Sequence, residues 1–506
     1  MSARFASNSR MFPWAVMACF VALAVLLMMR PALRTPAEFG PLQGFELDEE
    51  GEKDGVSSIA LPPVQPARAL VTAARGFSVG ATRRVDLGLP GEQSWEPSIV
   101  VAHADANTAE GDEVVVTWMD GRAVTDTRIG MSRTIDGGNT WITSDLLPPA
   151  QSTNIQFDAM TAADPVTGRT YVGAMSRNFS AGVVDTVWLA GKAAGAASFS
   201  ASSVVVPLEG VDKGWLAAGP LPAPASGSAL YMAFRAGTQP VVRRSLNGGA
   251  SFEAAIALPL LVAPHPRVSP NGTLSISYFN NQSGSAAFIS SMDGLQTLSA
   301  PIDIATFSAN PQALASAVPG DFRLPFFVMH SVDPNSGKLY VIYNDVTGTV
   351  GGQADVNLLL RDSVDGGQTW SSPRIVNGDG APPGDQFMPW LECDSLGRLH
   401  LAWFDNRRHP DPDASSSTLV DVYYAMSSDG GLTWQETRLT QTPLNTSASN
   451  WNPSGAGFQF IGDYIGVAVS RHAAYVTYPG DAAGAVAMWV TRIDLDGDGI
   501  FANGFE

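Results

Sequence analysis

The sequence predicts an all-β fold, a β-propeller built from four-stranded blades. Short β-branched and aromatic runs bounded by turn residues recur along the chain, among them "EVVVTW", "KLYVIY" and "LHLAWF". Glycine (50 residues) and proline (35 residues) interrupt the chain throughout, and few apolar runs show the helical period of 3.6 residues. An octamer of turn residues also returns along the chain, and internal repeats of this kind are typical of propellers.

The octamer and a second repeated phrase divide the chain into modules. The octamer reads "TIDGGNTW" at 134–141, "SVDGGQTW" at 363–370 and "SSDGGLTW" at 427–434, with looser copies "SLNGGASF" at 245–252 and "SMDGLQTL" at 291–298. The second phrase is a turn before an apolar strand, as in "ADPVTGRTYVGA", "VDPNSGKLYVIY" and "CDSLGRLHLAWF". Together they give seven modules of about four strands each, beginning near Trp95, Ile155, Lys213, Pro264, Arg323, Gln386 and Phe460.

We therefore favour seven blades, with six as the alternative. The last module lacks an outer strand, and "RRVDLGL" at 83–89 stands just before the first module. A strand near Val85 that joins the last blade would close the ring and hide the edges that an open sheet exposes.

The octamers resemble the Asp-box (BNR repeat) of the sialidase superfamily, three of them nearly complete. In that family these turns lie on the rim of each blade, away from the active face, which implies a structural role here. The residue types agree: the aspartates can accept hydrogen bonds from the backbone of their own turn, the glycines supply positive φ, and the tryptophans pack between blades. The residues concerned are Asp136, Trp141, Asp365, Trp370, Asp429 and Trp434.

The N-terminal segment predicts export. Residues 11–29 are uncharged and mostly apolar, and they lie between Arg10 and Arg30. An uncleaved signal anchor spanning a membrane, a cleaved signal peptide and a lipoprotein modified at Cys19 all fit this pattern. We assign residues 1–30 to this segment, 31–78 to a Pro/Ala-rich acidic linker, 79–495 to the propeller and 496–506 to a C-terminal tail.

Composition limits the partners and the location. A formal net charge of −18 argues against a nucleic-acid surface. Cys393 is the single cysteine outside the leading apolar run, so the propeller has no internal disulfide. We expect an extracytoplasmic monomer, either anchored to the inner membrane in the periplasm or secreted to the cell surface, whose partner is a glycan or an envelope protein.

One short segment near the C-terminus suggests a metal. "DLDGDG" at 494–499 places Asp494, Asp496 and Asp498 at the first, third and fifth positions of a calcium loop. The twelfth position would be Phe505 instead of a bidentate glutamate. We therefore expect no cofactor, with weak calcium binding at this site as the alternative.

Charged residues recur where a propeller places its binding face, at the starts of the inner strands and in the loops between second and third strands. Each could simply be a solvated loop residue, and "WMDGR" and "WFDNRR" could be structural Asp–Arg pairs that hold loops. The set is Glu96, Asp120, Arg122, Asp158, Arg177, Arg235, Arg323, Asp405, Arg407, Asp463 and Tyr464.

The resemblance to sialidases implies roles for most of these residues. A sialidase clamps the substrate carboxylate with arginines and uses a tyrosine nucleophile and an acidic acid/base. Arg323, in "FRLP", is similar to a clamp arginine of the family. Arg122, Arg177, Arg235 and Arg407 would complete a clamp. Tyr464 would be the nucleophile, with Asp463, Asp120 and Glu96 as the acidic candidates.

The sequence also departs from the sialidase pattern. The family's motif opens the first blade, where this chain has "WEPS", and "FRLP" comes only in the fifth module. We therefore favour a non-catalytic propeller that binds glycan or protein at the cell envelope. The alternative is a sialidase-type exo-glycosidase, an exo-α-sialidase, so the sequence leaves open whether the protein is an enzyme.

Overall fold

The computed structural model describes the chain from residue 76 to residue 495, with gaps. The described residues are 76–87, 93–123, 126–145, 155–178, 184–200, 203–208, 210–259, 262–308, 318, 320, 322, 324–325, 327–350, 353–378, 384–409, 419–448, 460–483 and 485–495. Their strands form seven antiparallel sheets. Each sheet has four strands that follow one another in the chain, except that blade 6 has a fifth strand and the closing sheet takes one strand from the N-terminal end. The prediction of a seven-bladed propeller is thus confirmed.

The first strand, β1 (Phe77–Arg84), belongs to the last blade. Blade 1 follows with β2 (Gln93–His103), β3 (Glu113–Ala123), β4 (Asp126–Thr134) and β5 (Ile142–Asp145). Blade 2 has β6 (Ile155–Ala163), β7 (Thr170–Asn178), β8 (Val184–Lys192) and β9 (Ser203–Leu208). Blade 3 has β10 (Val211–Pro220), β11 (Ser228–Ala236), β12 (Gln239–Ser245) and β13 (Ile256–Ala257).

The second half continues the same order. Blade 4 has β14 (Val262–Val268), β15 (Leu274–Asn280), β16 (Ser285–Ser291) and β17 (Ile302–Thr306). Blade 5 has β18 (Met329–Val332), β19 (Leu339–Val350), β20 (Gln353–Ser363) and β21 (Arg374–Ile375). Blade 6 has β22 (Gln386–Cys393), β23 (Leu399–Asp405), β24 (Leu419–Ser427) and β25 (Gln435–Arg438), with β26 (Leu444–Asn445) also on β24. Blade 7 has β27 (Gly466–Val469), β28 (Ala473–Asp481) and β29 (Val486–Leu495). Two short 3-10 helices are Ala109–Gly111 and Thr446–Ala448.

The N-terminal strand closes the ring, as predicted, but it begins earlier in the chain. β1 pairs antiparallel with β29, with Phe77 opposite Leu495 and Arg84 opposite Trp489. Val85, on which the prediction was centred, follows the strand and donates its backbone N–H to the carbonyl of Met488. The two ends of the described chain are therefore hydrogen-bonded in one sheet, and the ring needs no other segment to close.

The alternation of strands gives the ring two faces. We call the top face the one where β2, β6, β10 and the other innermost strands begin. The opposite, bottom face carries the turns that join the first to the second strand and the third to the fourth strand of each blade. Because β1 runs antiparallel to β29 and begins opposite its last residue, the chain enters the propeller at the bottom face.

The core lies between neighbouring sheets, where strand residues point alternately to the two adjoining blades. Large aromatic side chains fill these spaces, and Trp118, Trp188 and Trp403 are fully buried in blades 1, 2 and 6. Burial on both faces explains why the strands read as continuous apolar runs instead of alternating ones.

The repeated octamers form the turns between the third and fourth strands. Asp136 accepts hydrogen bonds from the backbone N–H (2.9 Å) and hydroxyl (2.6 Å) of Thr140, and Asp365 and Asp429 make the same pair of contacts with the threonine four residues on. The glycine pairs all have positive φ, for example 64° and 87° at Gly137 and Gly138. These contacts account for the spacing of the repeat.

Two further sequence predictions fall at the ends of the chain. Among the residues that the structure describes, no helix is long and apolar enough to cross a membrane, and residues 11–29 lie outside them. Asp494 lies on β29, where it accepts a hydrogen bond from Arg492 Nε (2.5 Å). Asp496 and Asp498 lie outside the described residues, and no group of three or more metal-binding side chains occurs within these.

Candidate functional site

The innermost strands of five blades carry the same backbone irregularity near the top face. The register of the sheet shifts there, and a residue with positive φ stands at the shift. These residues are Glu96 (49°), Asp158 (49°), Lys213 (52°), Ala263 (56°) and Met388 (51°). Positive φ is uncommon for residues other than glycine, and such conformations cluster at functional sites. The bulge redirects one side chain in each of these blades.

Four charged side chains meet at the top face, and three of them, Glu96, Asp158 and Lys213, stand at these bulges. The ammonium of Lys213 lies 3.6 Å from Glu96 Oε1 and 3.7 Å from Asp158 Oδ1, and it forms a shorter ion pair with Asp463. The backbone N–H of Lys213 also donates to Asp158 Oδ2 at 2.7 Å. Blades 1, 2, 3 and 7 each contribute one residue, so this Lys213 cluster is built by the ring as a whole.

Aromatic rings form the other side of the cluster. The Lys213 ammonium lies 5.9 Å from the ring centroid of Phe327 and 6.0 Å from that of Tyr464. Trp215 packs edge-on against Phe327 (5.6 Å) and lies 5.9 Å from Tyr464, and Trp390 lies 6.4 Å from Tyr464. The site therefore has a carboxylate side and an aromatic side, with one cation between them.

Burial and charge shift the pKa values within the cluster. Burial raises the pKa of Asp158 to about 6, although the positive charge of Lys213 opposes the shift. Burial alone would lower the pKa of Lys213, but the carboxylates of Asp463, Glu96 and Asp158 outweigh it and raise that pKa. Burial and the same carboxylates raise the pKa of Tyr464 well above its usual value. At neutral pH the lysine is charged and the phenol keeps its proton.

The structure brings together three of the residues predicted as catalytic, Glu96, Asp463 and Tyr464, with Asp158 from the predicted binding face. Lys213 was predicted only as the start of a module and not as a site residue. Two features of the sequence could have indicated it: the chain has only four lysines, and Lys213 holds the same place in its module as Glu96 and Asp158 hold in theirs.

Each predicted clamp arginine whose side chain the structure describes forms an ion pair with an acidic residue of its own blade. Arg177 is buried and makes two bonds of 2.6 Å to Asp185. Arg235 Nη2 lies 2.5 Å from Asp212 Oδ2. Arg407 Nη2 lies 2.6 Å from Asp405 Oδ2, and its Nη1 lies 2.5 Å from Glu436 Oε1. The Asp405–Arg407 contact is the structural Asp–Arg pair that "WFDNRR" suggested.

The structure describes the remaining predicted residues only in part. Asp120 lies buried on β3, opposite Arg128 of β4 in the sheet register. Arg122 lies on the same strand, but its side chain is outside the described part of the structure. Arg323 also falls outside the described residues.

The similarity of this chain to known proteins is distant. No protein-family model matches the chain, and no curated protein matches it. Among solved structures, phage phi92 endosialidase is similar at 12% identity and a TM-score of 0.47, covering 85% of this chain and 71% of that one. Trypanosoma rangeli sialidase is similar at 11% identity and a TM-score of 0.41, covering 68% and 60%. An α-L-arabinofuranosidase from Fusarium graminearum is similar at 11% identity and a TM-score of 0.42, covering 82% and 98%.

The described strands themselves form a seven-bladed β-propeller, which is the fold that the resemblance of the octamers implied.

Proposed function

We propose that the protein is a non-catalytic propeller that binds an uncharged glycan at the centre of its top face. The observation that carries this is the Lys213 cluster, in which the Lys213 ammonium is shared by Glu96, Asp158 and Asp463. Among the described residues, the cluster therefore holds three carboxylates and one ammonium. A substrate carboxylate such as that of a sialoside would meet these three carboxylates there.

The two sides of the site suit a sugar. Carboxylates accept strong hydrogen bonds from hydroxyl groups, and aromatic surfaces pack against the apolar faces of a ligand. Small-ligand sites generally combine such apolar walls with a few placed polar groups. Three of the five predicted clamp arginines are engaged elsewhere, because Arg177, Arg235 and Arg407 each pair with an acid in their own blade.

A sialidase-type exo-glycosidase is the second candidate, and one observation favours it. Tyr464, Glu96 and Asp463 lie around one point, and Asp158 beside them has a pKa of about 6, which suits a general acid. Because the pKa of Tyr464 is raised, a nucleophilic role would require a neighbouring carboxylate to take up its proton.

A binding and turnover experiment on residues 75–506 separates the two candidates. We expect binding to uncharged oligosaccharides in a glycan panel, weakened about tenfold (about 1.4 kcal/mol) by Glu96→Gln, which removes one charged acceptor while keeping its shape. We expect no turnover of a fluorogenic sialoside. Glu253→Gln, an exposed acid paired with Arg244, is the control and should leave binding unchanged.

Two results would contradict this proposal. Sialoside turnover that disappears in Tyr464→Phe and in Arg323→Ala, with the fold intact, would establish the glycosidase. The absence of binding to every uncharged glycan would remove the glycan as the partner. Since the Lys213 cluster also joins four blades, each variant's unfolding transition must be measured beside its binding.

The export of the propeller is also part of this proposal. It is supported by the apolar run at residues 11–29 between Arg10 and Arg30 and by the absence of a second cysteine beyond that run. We expect a protease added to intact spheroplasts to degrade the propeller, with a cytoplasmic enzyme as the protected control. Full protection of the propeller would contradict export.

A further inference from the structure

The bottom face carries exposed apolar side chains in a regular pattern. Each of the five octamer turns presents one large apolar residue to solvent, with exposed fractions from 50% at Leu246 to 81% at Val364. The five are Ile135, Leu246, Met292, Val364 and Leu432, in blades 1, 3, 4, 5 and 6. Isolated exposed apolar residues are ordinary, but a recurrence at one level of a ring is not.

The turn itself does not require these residues. Its conformation is held by the aspartate, the threonine and the glycines, as at Asp365, which bonds the backbone N–H and hydroxyl of Thr369. Ile135, Leu246, Met292 and Val364 all occupy the second position of the octamer, between the hydroxyl residue and the acid or amide. Because equivalent positions of a propeller lie at equal height, these side chains define a plane at the bottom face.

The chain reaches the propeller on that same face. β1 begins at Phe77, opposite Leu495, and runs from the bottom face toward the top. A flexible coil as long as the predicted linker, residues 31–78, would have a root-mean-square span of about 40 Å. A propeller tethered by residues 11–29 would therefore stay close to a bilayer, where weak contacts are amplified by a high local concentration.

We propose that the bottom face rests on a lipid bilayer, with the five apolar side chains inserted among uncharged or zwitterionic headgroups. The choice of lipid follows from charge. The chain has a net charge of −18, and hydrogen bonds from Thr369 and Ser363 hold the pKa of Asp365, next to Val364, at about 2. An anionic surface would repel these turns. The inference extends the signal-anchor interpretation of residues 11–29 and does not depend on the glycan site.

Vesicle flotation of residues 75–506, which lack the apolar segment, tests this inference. We expect the protein to float with phosphatidylcholine vesicles and to bind less when phosphatidylserine is added. The fourfold variant Ile135→Ser, Leu246→Ser, Met292→Ser, Val364→Ser should lower the partition coefficient at least about tenfold, because binding scales with inserted apolar area. Leu87→Ser, an equally exposed residue beyond β1 toward the top face, is the matched control and should change nothing.

The assay contains no glycan, so its result is separate from that of the binding experiment. The inference is overturned if the parent protein does not float, or if the fourfold variant floats as well as the parent while both unfold at the same temperature. It is also overturned if sedimentation velocity shows that the parent protein is a dimer and the fourfold variant a monomer, while both bind vesicles equally. A second copy of the chain would then cover the bottom face.

Discussion

Replacing Lys213 by methionine is expected to lower the free energy of unfolding by about 3–5 kcal/mol at pH 7, the usual cost of breaking a buried ion pair from one side. Glu96, Asp158 and Asp463 are buried, and Lys213 is the cation that the structure places among them. Methionine keeps the length of the side chain, so most of the loss would come from uncompensated charge instead of from a cavity.

The pH dependence of the loss identifies its cause. Without the ammonium, which opposes the effect of burial, the pKa of Asp158 in the folded protein rises further above its value in the unfolded chain, and the folded state binds more protons. The stability of the variant should therefore recover as the pH falls from 7 to 5, through the range where the pKa of Asp158 already lies at about 6.

Urea unfolding of both proteins at pH 7 and pH 5 measures this effect. Lys338→Met is the control, since Lys338 is partly exposed and lies 2.9 Å from Asp362. That variant should lose less than about 1 kcal/mol at either pH. Equal losses for the two lysines, or a Lys213→Met loss that is the same at both pH values, would mean that charge does not hold the cluster.

The fold could be predicted from the sequence because the contacts that specify each turn are local and recur from blade to blade. Each octamer specifies one turn through contacts within eight residues, as at Asp136 and Thr140. Counting the turns and the apolar strands gave seven blades. The position of the closing strand was less accurate, because β1 is an edge strand whose alternation is broken by Gly80 and by a register shift between Val79 and Thr82.

The site could be predicted only in part because its contacts join residues that are far apart in the sequence. Glu96, Asp463 and Tyr464 could be predicted as members of one face, but the bulge that positions Glu96 occurs at Glu, Asp, Lys, Ala and Met alike. No residue type marks that conformation. The pairing of Arg177 with Asp185 depends on the register of β7 and β8, so a sequence alone does not tell an engaged arginine from one that could clamp a ligand.

Removing the closing strand is expected to have the largest effect of all. A chain that begins at Asp86 would leave β29 with an unpaired edge along the stretch from Trp489 to Leu495. It would also lose Phe77, which is buried with its ring 5.1 Å from that of Tyr424 in blade 6. Because the truncation leaves β29 with an open edge and removes Phe77 from the core, we expect the loss of a large part of the about 5–15 kcal/mol that stabilises an ordinary domain, and aggregation through the exposed edge.

The comparison of residues 86–506 with residues 75–506 isolates this effect, because the second chain keeps β1 and is the matched control. Circular dichroism and thermal unfolding should show a cooperative transition for the longer chain alone. A synthetic peptide of residues 76–86 should restore that transition when added to the shorter chain, since a free strand can complete an exposed sheet edge. A peptide with Phe77 replaced by alanine should restore it less well, because it would leave the Tyr424 contact unfilled. Equal unfolding temperatures for the two chains would show instead that six complete blades hold the ring without its closure.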